Sequence, residues 1–141
     1  MNIQVIEGPN LNLLGHREPE IYGKDTLEEL HAWMQNQEYS RPCVFRFFQS
    51  NSEGALIDAI QQCVPWARGL VINPAAYTHT SYAIRDAIAA IGIPAVEVHL
   101  SDIHRREPFR AQSVIVPVCV GQVYGKGKES YREGVEILLA L

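Results

Sequence analysis

Residues 70–98 read LVINPAAYTHTSYAIRDAIAAIGIPAVEV, and the fold turns on how this stretch is parsed. Leu70–Ile72 and Ala95–Val98 are short apolar runs, the pattern of strands buried on both faces. Between them Ile84, Ala87, Ile88 and Ile91 fall at i, i+3, i+4 and i+7, one face of a helix. Thr80 or Ser81 can cap that helix, and Gly92 and Pro94 stop it. A strand, a helix and a strand in this order form a crossover unit of a parallel sheet.

The same reading extends outward. Ile3–Ile6, Val44–Phe48 and Val114–Val120 are further strand-like runs. Asp25 with Glu28 makes a capping pair ahead of Leu27, Leu30 and Met34. Leu56, Ile57, Ile60 and Val64 carry a second apolar stripe, and Tyr131, Val135, Leu138 and Leu139 a last one. Between the fourth and fifth strands only a short helical turn near Glu107–Arg110 is expected. The order predicts an α/β chain with a flavodoxin-like, doubly wound sheet of five parallel strands, in a single domain over residues 1–141. Ligands bind beyond the carboxyl ends of such strands. The segments expected there are Gly8-Pro9-Asn10, Gln49-Ser50-Asn51, Asn73-Pro74, His99-Leu100-Ser101 and Gly121-Gln122.

Composition narrows the function. With 47% hydrophobic and 20% charged residues, the 141-residue chain reads as one globular core. A net charge of −4 argues against a nucleic-acid partner. No apolar run approaches the roughly 20 residues a membrane helix needs. Met1 leads straight into a strand pattern, so a cytoplasmic location is expected. Cys43, Cys63 and Cys119 form no CxxC pair, which suggests neither disulfides nor zinc. His99 and His104 lack a third ligand, so no metal is expected. The glycines of Gly121–Gly127 are misplaced for a phosphate loop, and no lysine sits where a buried Schiff-base amine would. No cofactor is expected.

Four clusters could carry chemistry. Alternation puts Glu97 and His99 on one strand face, where a buried carboxylate must be paired. Glu97 would polarise the His99 imidazole, or else pair with an arginine for structural reasons alone. The loop from Gly8 to Lys24 has little periodicity and reads as a lid; it carries Asn10, His16, Arg17 and Tyr22. A free tyrosine titrates near 10, and a three-unit drop requires about 4 kcal/mol in favour of the phenolate. Arg17, Arg106 and Arg110 are the available cations, yet residue chemistry alone favours a packing role for Tyr22. Asn73–Ser81 runs into a helix N-terminus, which suits an anion or simply a cap. Ser101–Arg110, with His104, Arg105, Arg106 and Arg110, suits an anionic substrate or a solvated loop.

Taken together, Gly8-Pro9-Asn10-Leu11-Asn12-Leu13-Leu14-Gly15, Arg17-Glu18-Pro19, Tyr22-Gly23, Phe48-Gln49-Ser50-Asn51, Asn73-Pro74, Tyr77-Thr78-His79-Thr80-Ser81, Ile84-Arg85-Asp86, Glu97-Val98-His99-Leu100-Ser101 and Phe109-Arg110 resemble the type II 3-dehydroquinate dehydratases, in order and over nearly the whole chain. The resemblance implies conversion of 3-dehydroquinate to 3-dehydroshikimate and water, in the shikimate route or in quinate breakdown. It implies Tyr22 as a phenolate base held by Arg17, an enolate stabilised through a water near Asn10, and His99, oriented by Glu97, as the acid. Asn73, the N–H groups near Leu100 and Ser101, and the Ser101 hydroxyl would hold the substrate carboxylate. His79, Arg110 and Asp86 would bind ring hydroxyls, Asp86 from a neighbouring subunit, with Arg106 in the lid or its charge field. It further implies a homododecamer built of trimers.

Four positions depart from the family pattern. Glu7 replaces a common Asn and would add negative charge near an anionic ligand. Ala75 replaces a usual Gly and would be strained at a positive φ. Asp102 stands for Asn and Pro108 for Glu. The competing readings are a flavodoxin-like ligand-binding or signalling domain, and a catalytically silent oligomeric homologue.

Overall fold

A computed structural model of the chain describes residues 1–16 and 18–141; Arg17 lies outside the described residues. Five parallel strands, β1 (Asn2–Glu7), β2 (Val44–Gln49), β3 (Gly69–Asn73), β4 (Ala95–Val98) and β5 (Gly121–Val123), form one sheet in the order β2-β1-β3-β4-β5. This is the predicted flavodoxin-like sheet. The helices are α1 (Pro19–Tyr22), α2 (Leu27–Gln35), α3 (Glu53–Gln62), α4 (Tyr82–Ile91) and α5 (Glu129–Leu139).

Strand alternation divides the apolar residues between two layers. Ile3, Val5, Val71, Val96 and Val98 pack with Leu30 and Met34 of α2 and Val135 and Leu138 of α5. Ile6, Leu70 and Ile72 face the other way, onto Leu56 and Ile60 of α3 and Ile84 and Ile88 of α4. Ser81 caps α4, its Oγ accepting from the Ile84 N–H, and Gly92 closes that helix at φ 69°. No helix among the described residues is long and apolar enough to cross a membrane.

Local chemistry overrides the sequence reading in three places. The capping box of α2 is Thr26 with Glu29, not Asp25 with Glu28: each side chain accepts from the other's backbone N–H at 3.1 Å. Asp25 instead faces Lys128, 3.3 Å away. Val64 lies beyond the end of α3 and is 40% exposed, with Cys63 taking the buried position. Most consequentially, Val114–Val120 is not a strand. The Ser113 hydroxyl accepts from the N–H groups of both Ile115 and Val116, and Pro117, which has no N–H to offer a ladder, sits in a 3-10 turn at Val116–Val118. The fifth strand begins only at Gly121, beside Val96. The link before it holds two more such turns, Ile103–Arg105 and Pro108–Ala111, the second near the turn expected at Glu107–Arg110.

The carboxyl ends of β1 and β3 are joined by a bond from the Gly8 N–H to the Asn73 carbonyl at 2.8 Å. A Cβ on Gly8 would stand 2.5 Å from the Pro74 oxygen, so the close approach requires glycine. Ala75, two residues past Asn73, has φ 52°, the strained conformation its substitution for glycine foreshadows. Ala75→Gly should therefore raise the thermal midpoint by about 2 °C, relieved strain outweighing the added unfolded-state entropy. Gly8→Ala should lower it by several times that amount. Thermal unfolding of both variants checks this, and a fall with Ala75→Gly contradicts the strain.

Candidate active site

Beyond the strand ends lies a cavity of about 100 Å³, on whose walls Asn10, Tyr22, Asn73, His79, His99, Ser101, Arg106 and Arg110 come together with Leu100. The sequence reading puts Asn10, Asn73, His99, Leu100 and Ser101 at strand ends on one edge of the sheet, and the structure brings Tyr22, His79, Arg106 and Arg110 from the loops to join them. A larger cavity of about 540 Å³ lies alongside and shares Tyr22, Leu100, Ser101 and Arg106, but includes neither His99 nor Asn73.

Glu97 has no exposed surface and His99 only 5%, although both lie at the end of a strand. His99 Nε2 lies 2.5 Å from Glu97 Oε2, and no arginine competes for that carboxylate among the described residues. Three more donors reach it: Thr78 Oγ1 at 3.0 Å, Gln122 Nε2 at 3.1 Å and, on the other oxygen, Ser113 Oγ at 2.6 Å. Burial opposes ionisation, but the His99 bond and charge, with the Ser113 and Gln122 bonds, outweigh it and hold the Glu97 carboxyl below its ordinary range. With Nε2 committed to Glu97, His99 keeps Nδ1 for the cavity it lines. Nearby Cys119 is pushed up to about 12 by burial and by the Glu97 charge, so its thiol stays neutral.

Tyr22 ends the short helix α1, which Pro19 starts at a position where its missing N–H costs nothing. The Arg106 guanidinium lies 5.2 Å from the centre of the Tyr22 ring. Its Nη1 reaches the Ser101 hydroxyl at 3.4 Å, and its Nε lies 3.9 Å from Glu107. The predicted Arg17 partner falls outside the described residues.

On the same cavity, the backbone of Leu100 and Ser101 is anchored by its carbonyls, which accept from Gly127 and Gly125 at 3.1 and 3.0 Å. Their own N–H groups donate to nothing among the described residues, a fit for an anion. Asn73 is 3% exposed and directs its Oδ1 to the Ala75 N–H at 3.1 Å. The N-terminus of α4 does not serve as the anion site considered above. Ser81 caps it and is itself fixed by Glu53 at 2.6 Å, and the preceding Ala75–His79 is a 3-10 turn.

His79 is oriented by the Gln112 carbonyl, 2.7 Å from Nδ1, and Arg110 by Glu107, 2.6 Å from Nε. Glu107 thus supplies a carboxylate beside Arg110 although Pro108 occupies the family's Glu position. Asp102 accepts from the His104 N–H at 3.0 Å, a role open to Asn as well. Asp86 is exposed on α4 and lines neither cavity. Glu7 does not face the cavity as feared. It is fully buried between His31 and Tyr131, each 2.7 Å away.

The sequence names Thr78 and Gln122 only within wider segments, and nothing in it assigns them or Ser113 to Glu97. Gln122 stands beside Glu97 in the β4–β5 register, a signal hidden once the fifth strand was placed too early. Nothing in the spacing of Ser113 marks it.

The fold is that of a flavodoxin-like α/β protein, and one cavity at the strand ends gathers Tyr22, the Glu97-bound His99 and two arginines, Arg106 and Arg110. The dehydroquinase class II family profile matches residues 1–139. The 3-dehydroquinate dehydratase of Sulfurovum sp. (strain NBC37-1) is 56% identical over 131 residues, 93% of this chain and 81% of that one. That of Acaryochloris marina (strain MBIC 11017) is 54% identical over 138 residues, 98% and 93% of the two chains. The crystal structure of type II dehydroquinase from Butyrivibrio crossotus DSM 2876 superposes with a TM-score of 0.94 at 47% identity, covering 99% of this chain and 97% of that one. The chain belongs to the class II dehydroquinase family.

Because the folded Glu97 carboxyl titrates below its ordinary 4.5, its charge stabilises the fold above about that pH, and the contribution is lost as pH falls through the lowered value. Glu97→Gln should be less stable than wild type at neutral pH by about 1.5–3 kcal/mol, the range for hydrogen bonds to a charged group. The gap should shrink in acid. Urea midpoints on either side of pH 4.5 test this; a gap independent of pH contradicts the assignment.

Proposed function

We propose that the chain is a type II 3-dehydroquinate dehydratase, converting 3-dehydroquinate to 3-dehydroshikimate and water. The observation that carries the reading is the placement of Tyr22 and the Glu97-bound His99 on the walls of one cavity. Elimination of water β to a ketone needs a base for the α proton and an acid for the departing hydroxyl, on separate sides of the ring. Tyr22 as phenolate takes the proton, with Arg106 over its ring and Arg17 as the second cation. The electron pair moves onto the carbonyl oxygen as an enolate, stabilised through a water near Asn10. When the enolate collapses, the C–O bond breaks and His99, as an imidazolium compensated by Glu97, gives its proton to the leaving oxygen. Tyr22 ends protonated and His99 neutral, and proton exchange with solvent resets both.

The substrate carboxylate is assigned to Asn73, the Leu100 and Ser101 N–H groups and the Ser101 hydroxyl, and the ring hydroxyls to His79 and Arg110. Asp86, exposed on α4, can reach a substrate only in a neighbouring copy, which the homododecamer of trimers would supply. At about 100 Å³ the cavity is smaller than the roughly 300–1,000 Å³ of typical ligand sites, so Tyr22 and its lid move outward to admit substrate. A cytoplasmic enzyme of the shikimate route or of quinate breakdown fits this chemistry.

The experiment follows enone carboxylate absorbance from 3-dehydroquinate with wild type and Tyr22→Phe. Wild type should turn over with or without chelator or borohydride, since neither a metal nor an imine enters the scheme. Tyr22→Phe should lose about 10²–10⁴-fold in kcat while unfolding at the same temperature. An inert wild type would favour the silent homologue instead, and an active Tyr22→Phe would remove the tyrosine from its role.

A further inference from the structure

Behind Asn73, on the side away from His99, a second chain of buried polar groups crosses from β1 to β3. Glu7, the last residue of β1, has no exposed surface, and neither does Tyr131 of α5. Glu7 Oε2 lies 2.7 Å from Nε2 of His31, whose ring stacks on Phe47 at 4.0 Å. Glu7 Oε1 accepts from the Tyr131 hydroxyl at 2.7 Å, and that hydroxyl oxygen accepts from Asn73 Nδ2 at 2.8 Å. Asn73 Oδ1 in turn takes the Ala75 N–H.

Each link has one possible direction. An ionised carboxylate only accepts, so Tyr131 must donate to it. Burial, and after it the Glu7 charge, push the Tyr131 phenol well above its ordinary range, which keeps the O–H in place. With its hydrogen spent on Glu7, the hydroxyl has only lone pairs to offer Asn73 and therefore selects the amide nitrogen. The carbonyl end of that amide is held by Ala75. The second Nδ2 hydrogen is left for the cavity that Asn73 lines.

We propose that Glu7 is a positioning residue for substrate: through Tyr131 it fixes the polarity of the Asn73 amide, so that this wall of the cavity presents an N–H and selects a carboxylate over a neutral carboxamide. The inference rests on the reading of Asn73 as a carboxylate-binding group. His31 takes the other Glu7 oxygen and neither residue lines the cavity, so the carboxylate acts through the direction of hydrogen bonds and not by contact with the ligand. A glutamine at position 7 would have both a donor and an acceptor end. It would let Tyr131 turn its hydrogen toward Asn73, and the amide could then flip.

The test measures competitive inhibition of 3-dehydroquinate turnover by quinate and by its primary carboxamide. Tyr131→Phe alone strips a donor from a buried carboxylate and endangers the fold. The variants are therefore Glu7→Gln and the double variant Glu7→Gln/Tyr131→Phe, which buries no charge at this point. Both should bring the acid-over-amide preference down about three- to tenfold and raise KM by a similar factor, with a smaller change in kcat. Asn73→Ala separates the two levels. If it abolishes the preference while the folded Glu7 variants keep the wild-type ratio, the positioning role is overturned and the carboxylate reading stands. If Asn73→Ala itself leaves KM and the ratio unchanged, the carboxylate reading fails and the role of Glu7 fails with it.

Discussion

A carboxylate with no exposed surface inside a parallel sheet must be met by donors on every side, and Glu97 imposes that demand on half the molecule. An unpaired charge there would cost several kcal/mol, comparable to the whole stability of a small domain. The donors come from four segments: His99 past β4, Thr78 from the turn before α4, Ser113 from the long link, and Gln122 from β5. Ser113 also accepts from two backbone N–H groups and so bends the chain into the turn that delays β5. The irregular link between the last two strands is thus tied down by the requirement that orients His99. Structure and site share one cause.

Glu7 repeats the device two strands away in the sheet, with the opposite consequence for a tyrosine. Its two oxygens are filled by His31 and Tyr131, and its charge, added to burial, keeps the Tyr131 hydroxyl protonated. Tyr22 has a guanidinium over its ring and sits half-buried on a cavity wall. One phenol is enclosed with an anion and serves as a fixed hydrogen-bond donor; the other lies under the Arg106 guanidinium. Residue type does not distinguish them. The sign of the nearest charge does.

That distinction marks how far the sequence could be read. Periodicity and stop signals carried the sheet order and the placement of Asn73, His99 and Ser101, because strand ends in such folds converge on one edge. The Glu97–His99 pair was visible because residues two apart along an extended segment share a face. Partners brought together by distant segments left no such trace. Tyr131 looked like one more apolar position of a helix stripe, and Glu7 like a misplaced charge; only their meeting across 124 residues explains both. The fifth strand was misplaced because Val114–Val120 has the composition of a strand, while a serine hydroxyl and one proline decide otherwise.

The division of labour between strand and lid follows from the same packing. His99 and Asn73 sit at strand ends, each held by buried partners, so both side chains are oriented before any ligand arrives. Tyr22 is carried by a four-residue helix between Gly15 and Gly23, whose φ values of 87° and 86° lie where glycine is at ease. A tie near the lid's end, Asp25 with Lys128, is exposed and weak. Tyr22 and Arg106 also line both the small cavity and the larger one beside it. An outward swing of Pro19–Tyr22 would merge the two spaces, and its return would bring the Tyr22 ring back under the Arg106 guanidinium.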